Sequence, residues 1–339
     1  MKLITFKHLG QTRIGAIVNE NQGVDFSKLE EAVPLTMLEL IKNHQQYLPS
    51  LKQALSAPTT SSLFNLSEVE ILSPLPNPVS MRDAYAFRQH VATARKNRGL
   101  EMIPEFDLFP VTYFTNHLAV TGPGSVLVQE HHLAKLDYEL EVAVVLGKPL
   151  WNATLEECDD AIFGYMIMND WSARYLQMEE MKLSLGPAKG KDFATSLGPW
   201  LVTKDELSLR STPAGHVLDA TMKAFVNNKL LSEGNVNSMN WTFAQILQRT
   251  SYGIHLCPGE VIGSGTVGTG CLLELNGSRI TDNLWLQPGD QVRMDIEGLG
   301  SLSNVVVRQE ERLQGVAPTL LGGSLGDLFR QTPSGESGN

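Results

Sequence analysis

Read for its alternation of apolar and polar positions, the chain consists mostly of short strand-like runs broken by turn residues, with a few helical stripes between them. KLITFKH and RIGAIVNEN are two such runs flanking Leu9-Gly10-Gln11, which predicts a hairpin. A helical stripe follows (Met37, Leu38, Leu40, Ile41, Tyr47, Leu48, Leu51, Leu55), and Pro49 inside it predicts two helices rather than one. PTTSS (58–62) ends that stretch and SPLPNP (73–78) marks the entry to the next. Residues 1–72 are therefore expected to form a small N-terminal unit, 73–321 the main domain and 322–339 a disordered tail.

The strongest pattern lies in residues 136–174. LDYELEVAVVLG sets Glu139 and Glu141 two apart in a strand, so both side chains leave the same face. The run behind them (142–146) is apolar on both faces, as in an interior strand. A second apolar run, 165–168, ends at Asn169-Asp170, where a helix carrying Arg174 and Gln177 on one face is expected to begin. Between the two, 154–161 reads as a short helix, with Thr154 capping and Glu157 three residues on.

Upstream, RDAYAFRQH predicts a helix past Asp83, with Asp83 near its N-terminus and His90 two turns on along the same face. Residues 106–128 alternate as an extended segment with a turn at Gly122-Pro123-Gly124. Downstream, 218–234 predicts two strands joined at Asn227-Asn228. An amphipathic helix over 241–252 is expected to be capped by Asn240, CLLELNGSR after Gly270 reads as a strand, and 287–310 as two closing strands.

Composition narrows the function without choosing it. With 339 residues there is room for one large domain and a small one. The formal net charge of −10 argues against nucleic acid or an anionic membrane surface as partner. No run reaches the length of a membrane span, and the N-terminus shows no apolar signal segment. Three scattered cysteines, Cys158, Cys257 and Cys271, fit no CxxC site or disulfide framework, so a cytoplasmic location is expected.

A carboxylate in a buried strand is costly unless something positive meets it. Glu139, Glu141 and Asp170 together predict one divalent ion. With no accompanying Cys and no clear His ligand, an oxygen-preferring ion is favoured, Mg²⁺ first, then Ca²⁺ or Mn²⁺. The same residues admit plainer readings: Asp170 as an N-cap with Arg174 as its ion partner, and Asp83 as an N-cap with a surface His90. Glu130-His131-His132 lacks the spacing of a zinc helix and reads as loop. GSGTVGTG (263–270) contains a formal GxGxxG, but a dinucleotide site requires a helix to open from it, and the strand-like CLLELNGSR argues against one. A dinucleotide-dependent oxidoreductase is the remote alternative. Glu274 interrupts the apolar LLEL, and Lys191 and Thr195 lie in a Gly/Pro-punctuated loop. These residues reach a metal-assisted reaction on an oxo acid and no further.

Five segments, RDAYAFRQH, LDYELEVAVVLG, MNDWSARYLQ, GKDFATSLGPW and IGSGTVGTGCLLEL, occur in the order found in the fumarylacetoacetate hydrolase family, which the chain resembles over 81–307. The resemblance implies an α+β, β-rich fold: a mixed β-sandwich or β-roll catalytic domain behind a small N-terminal α/β domain, usually in a homodimer. It implies metal ligation by Asp83, Glu139, Glu141 and Asp170, and a catalytic His90 oriented by Glu274. Arg174, Gln177 and Lys191 would stabilise an oxyanion, and Tyr85, Tyr113, Thr195 and Thr266 would bind substrate. RDAYAFRQH is most similar to the fumarylacetoacetase branch, so the implied reaction is cleavage of a 1,3-diketo acid, fumarylacetoacetate to fumarate and acetoacetate, as in aromatic amino acid catabolism. An acylpyruvate hydrolase or oxo-acid decarboxylase or isomerase of the same family is the alternative. Gly99 stands where the branch has an arginine, leaving Arg95 or Arg98 to replace it, and Met181 stands in place of a tyrosine.

Overall fold

Two sheets and the apolar layers on either side of the larger one organise the protein. The computed structural model describes residues 1–309, so the tail expected at 322–339 lies outside the described residues. The larger sheet has twelve strands. From one edge it runs Leu63–Asn65, Gln22–Asp25, Gln11–Ile17, Lys2–His8, Thr195–Thr203, Ile162–Asp170, Leu140–Leu146, Val261–Gly263, Met81–Ala84 and Thr112–Phe114. Two short strands, Glu70–Ile71 and Val120–Thr121, pair off this path. The second sheet has five strands: Lys229–Asn235, Thr221–Val226, Gln291–Ile296, Gly300–Arg308 and Gly124–Val128. Both are mixed, since Val261–Gly263 runs parallel to Met81–Ala84, and Gly300–Arg308 parallel to Gly124–Val128. The β-rich α+β class follows.

The period-two alternation of the central strands decides what each face does. Val142, Val144, Leu146, Tyr165, Ile167 and Val202 point into a core shared with Met222, Ala224, Met294 and Leu302 of the second sheet. Ala143, Val145, Met166, Met168, Leu197 and Leu201 point the other way, against Leu3, Ile14, Met37, Leu40 and Leu51 of the N-terminal segment. Burial on both sides explains why the run 142–146 carries no polar residue. The N-terminal strands continue the large sheet directly, Leu3 pairing with Leu201. Among the described residues no helix is long and apolar enough to cross a membrane.

Several local expectations meet a different outcome. Pro49 lies inside the helix His44–Ser56, and the chain breaks at Asn43, whose non-helical backbone and Nδ2 donation to the Glu39 carbonyl close the preceding helix, Met37–Lys42. Asp83 is no helix cap: it belongs to the strand Met81–Ala84, and the helix carrying His90 is Arg88–Lys96. Residues 130–132 open a short helix, Glu130–Leu133, where His132 Nδ1 accepts the Gln129 amide. The cap of helix Phe243–Thr250 is Thr242 rather than Asn240, because Thr242 and Gln245 form a capping box. LLEL is helical, Leu272–Gly277, with Leu272 and Leu275 buried three apart; a short apolar run alone does not separate the two states. The hairpin turn at Asn227 and Asn228, both at positive φ, and the Thr154–Glu157 capping box are found as expected.

Candidate active site

The row of side chains on the N-terminal face of the large sheet changes character at one end. Two positions on from the buried Ala143, Met168 and Met81 stand Glu141, Asp170 and Asp83, on the same face by alternation. Strand pairing brings them together: Ala143 opposes Met166 and Gly263, Gly263 opposes Asp83, and Asp170 opposes Thr195. A ligand oxygen of each of the three acids lies within 4.8 Å of one on each of the others, and all three residues are buried.

The glycine segment makes this possible. A Cβ at Gly263 would sit 2.3 Å from Asp83 Oδ1 and 2.7 Å from Met168 Sδ. Gly265, at φ +78°, donates its amide to Asp83 Oδ1 at 2.9 Å. A strand precedes this segment and a helix follows it, yet its glycines are packed against the acid cluster, Ala84 and Gln89 rather than around an open phosphate cradle.

Lys191 meets Asp170, yet burial remains the largest influence on all three acids. Burial, followed by the charge of Asp170, pushes the Asp83 carboxyl up to about 7. Burial and then Asp83, Glu139 and Asp170 hold Glu141 well above the usual carboxylate range, and Asp170 is raised chiefly by burial. Glu141 Oε2 and Asp170 Oδ1 are buried with no hydrogen-bond donor. Orphaned oxygens on crowded, oxygen-only acids fit one hard divalent cation.

Glu139 lies beside the cluster in different company. Arg174 Nη2 donates to its Oε1 at 2.7 Å, and the Lys191 ammonium pairs with its Oε2. Burial opposes its charge, but Arg174 and Lys191 outweigh this and hold the carboxyl below the usual range. Lys191 also donates to Asp170 Oδ2 at 2.8 Å. The backbone carrying Lys191 packs tightly on the helix Arg174–Met181, where a Cβ at Gly190 would lie 2.7 Å from the Gln177 amide nitrogen.

His90, buried, has Nδ1 2.6 Å from Glu274 Oε2. Its neighbours within ligand reach are Glu139 and Cys271. Tyr85 stands edge-on to the His90 ring at 5.9 Å between centroids. Gln177 Oε1 accepts from Arg174 Nη1 at 2.9 Å. Tyr113 donates to Asp170 Oδ2 at 2.6 Å, and Thr266 to Glu141 Oε1 at 3.2 Å, so both hydroxyls face the acids. Thr195 is buried at the start of its strand opposite Asp170. Arg95 and Arg98 direct Nε to the Glu101 and Ala94 carbonyls respectively.

Three further residues belong to this region. Asn169 Oδ1 accepts the Glu139 amide at 3.0 Å. Cys271 is buried near His90. Asp137 accepts from Arg174 and from two backbone amides of the helix bearing Glu274. The sequence signal for Asp137 is its period-two spacing with Glu139 and Glu141.

A β-rich scaffold that gathers buried carboxylates, a lysine, an arginine and a histidine–glutamate pair into one region has the makings of an enzyme site. Residues 80–307 match the family described as Fumarylacetoacetate (FAA) hydrolase C-terminal, and the chain belongs to that family. Over 327 residues it is 26% identical to oxaloacetate tautomerase YisK of Bacillus subtilis (strain 168), spanning 90% of this chain and 100% of that one. It is 34% identical to fumarylacetoacetase of Oryza sativa subsp. japonica over 199 residues, 47% of this chain and 46% of that one. Among solved structures, fumarylacetoacetate hydrolase from the psychrophile Exiguobacterium antarcticum superposes with a TM-score of 0.69 at 26% identity, covering 91% of this chain and 100% of that one. Maleylpyruvate hydrolase of Sphingobium sp. SYK-6, in complex with manganese (II) ion and pyruvate, gives 0.68 at 21% identity with the same coverage.

Proposed function

We propose that the protein hydrolyses a carbon–carbon bond in a 1,3-diketo acid, with fumarylacetoacetate as the first substrate to test. The observation that carries this reading is the His90–Glu274 pair beside the acid cluster, joined by a 2.6 Å hydrogen bond. A divalent cation held by Asp83, Glu141 and Asp170, with Glu139 beside them, would act as a Lewis acid toward the substrate's carbonyl oxygens. Mn²⁺ is a reasonable ion to try after Mg²⁺, given the manganese in the maleylpyruvate hydrolase complex.

The Glu274 carboxylate accepts Nδ1–H of His90 and leaves Nε2 as the proton acceptor. His90 takes a proton from water as the water oxygen bonds to the carbonyl carbon. The positive charges of Lys191 and Arg174, with the Gln177 amide, offset the oxyanion that forms. The carbon–carbon bond then breaks, its electron pair leaves with the oxo-acid fragment as an enolate, and that carbon takes the proton back from His90. Tyr85 and Thr195 would contact the substrate. The family resemblance also supports a homodimer, which mass in solution tests.

A second reading is keto–enol tautomerisation of a small oxo acid. It is favoured by the full-length likeness to oxaloacetate tautomerase, since the fumarylacetoacetase likeness spans only 47% of the chain. Both readings share His90 as the proton carrier. The discriminating experiment follows three substrates on one preparation: fumarate release from fumarylacetoacetate, pyruvate release from an acylpyruvate, and enol decay of oxaloacetate. Fumarate release as the fastest supports the hydrolase; oxaloacetate enol decay with no release from either diketo acid supports the tautomerase.

A further inference from the structure

Asp137 is completely buried and lies on the two-residue strand Leu136–Asp137, outside the acid cluster. Its carboxylate meets three donors. Arg174 Nε donates to Oδ2 at 2.8 Å, the Leu273 amide to Oδ2 at 2.9 Å, and the Leu272 amide to Oδ1 at 2.7 Å. Those amides open the helix Leu272–Gly277, whose own N-cap residue, Cys271, makes no side-chain cap. Asp137 thus caps that helix from a distant part of the chain. Glu274, the third residue of the same helix, holds His90.

The other arm ends on Arg174. Each guanidinium nitrogen has its own partner: Nε on Asp137, Nη1 on Gln177 and Nη2 on Glu139. One oxygen of Asp137 is shared between Arg174 and the helix, so neither can shift without disturbing the other.

We propose that Asp137 is the positioning residue that locks Arg174 and the Glu274–His90 pair into one geometry. The proposal rests on the reading of His90 as the proton acceptor. Its chemical logic is strict about charge and acceptor count. Asparagine has nearly the same shape, but its amide nitrogen must face at least one of the three donors, and it carries no charge against Arg174.

The test is Asp137→Asn, with three measurements. Mn²⁺ binding by the variant is expected within a few-fold of wild type, since none of the cluster acids is changed. The His90 imidazole, followed by NMR across pH without substrate, is expected to titrate at a shifted pH. The shift should be absent when Asp137→Asn is added to Glu274→Gln, because the route through Glu274 is already cut. With the best substrate, kcat is expected to fall about 100-fold with KM much less affected, as for a displaced catalytic group. A His90 titration that superimposes on wild type overturns the proposal. Loss of Mn²⁺ binding also overturns it, because Asp137 would then be holding the fold rather than the site. The NMR readout needs no substrate, so a protein that turns over none of the three oxo acids fails the functional reading while leaving this one decided on its own data.

Discussion

Glu139, just before the strand Leu140–Leu146, and Glu141 within it stand in opposite surroundings: Glu139 is neutralised by Arg174 and Lys191, while Glu141 keeps one buried oxygen with no donor at all. The contrast divides the labour of the site. The chain's own cations meet both oxygens of Glu139 and one oxygen of Asp170, while Glu141 Oε2 and Asp170 Oδ1 are left without a donor.

Glu141→Gln removes that demand. In EDTA the variant is expected to be more stable than wild type, because a buried uncompensated carboxylate costs on the order of 1–3 kcal/mol or more. Saturating Mg²⁺ or Mn²⁺ should reverse the order, since ion at a hundred times its Kd adds about 2.7 kcal/mol to a protein that binds it. Thermal unfolding of both proteins with and without metal reads this directly. Equal metal-induced shifts in the two would remove Glu141 as a ligand.

Gly263→Ala places a methyl group where Asp83 Oδ1 and Met168 Sδ already lie, at 2.3 and 2.7 Å. The expected cost is about 1–3 kcal/mol of stability from overpacking, with weakened metal binding as Asp83 is pushed aside. Titration calorimetry with Mn²⁺ gives the second effect apart from the first. Unchanged affinity would mean that Asp83 does not reach the ion.

Acid sensitivity has a source outside the acid cluster. Burial, then the neighbouring His131 and Lys189, push the His132 imidazole down to about 3 from an ordinary 6.5. Its Nδ1 accepts the Gln129 amide, and its ring stacks on Phe193 at 4.2 Å, so the neutral form is the one that fits. The unfolded chain takes up this proton first. The contribution of His132 is therefore complete above pH 6.5 and is lost as pH falls toward 3, at up to about 1.4 kcal/mol per pH unit. His132→Phe keeps the stack and should flatten the loss of stability between pH 6 and 4 (roughly that window), as measured by urea unfolding. A slope equal to that of wild type would point to other groups.

What was legible from sequence was local or periodic. The strand alternation behind Glu139 and Glu141, the Asn227-Asn228 turn and the Thr154–Glu157 box each depend on residues a few positions apart, and each is found. The misreadings share a cause in short segments. MRDA is four residues long and draws its strand state from two partners outside its window, the parallel Val261–Gly263 and the antiparallel Thr112–Phe114. LLEL becomes helical where Asp137, 135 residues before it, caps its first amides. No window of sequence contains both partners in either case. The acid cluster was legible as chemistry, because carboxylates in apolar runs demand compensation, while the split between Glu139 and its neighbours needed the positions of Arg174 and Lys191.

On the proposed function, His90 moves a proton for a reaction that depends on an ion in the acid cluster. Fumarate release from fumarylacetoacetate by wild type and His90→Ala, each stripped with EDTA and reloaded with Mg²⁺, tests it most directly. Wild type should lose activity in EDTA and regain it with Mg²⁺, and His90→Ala should bind the ion normally yet turn over at least about 100-fold more slowly. Turnover that ignores EDTA, or a His90→Ala variant as fast as wild type, would contradict it.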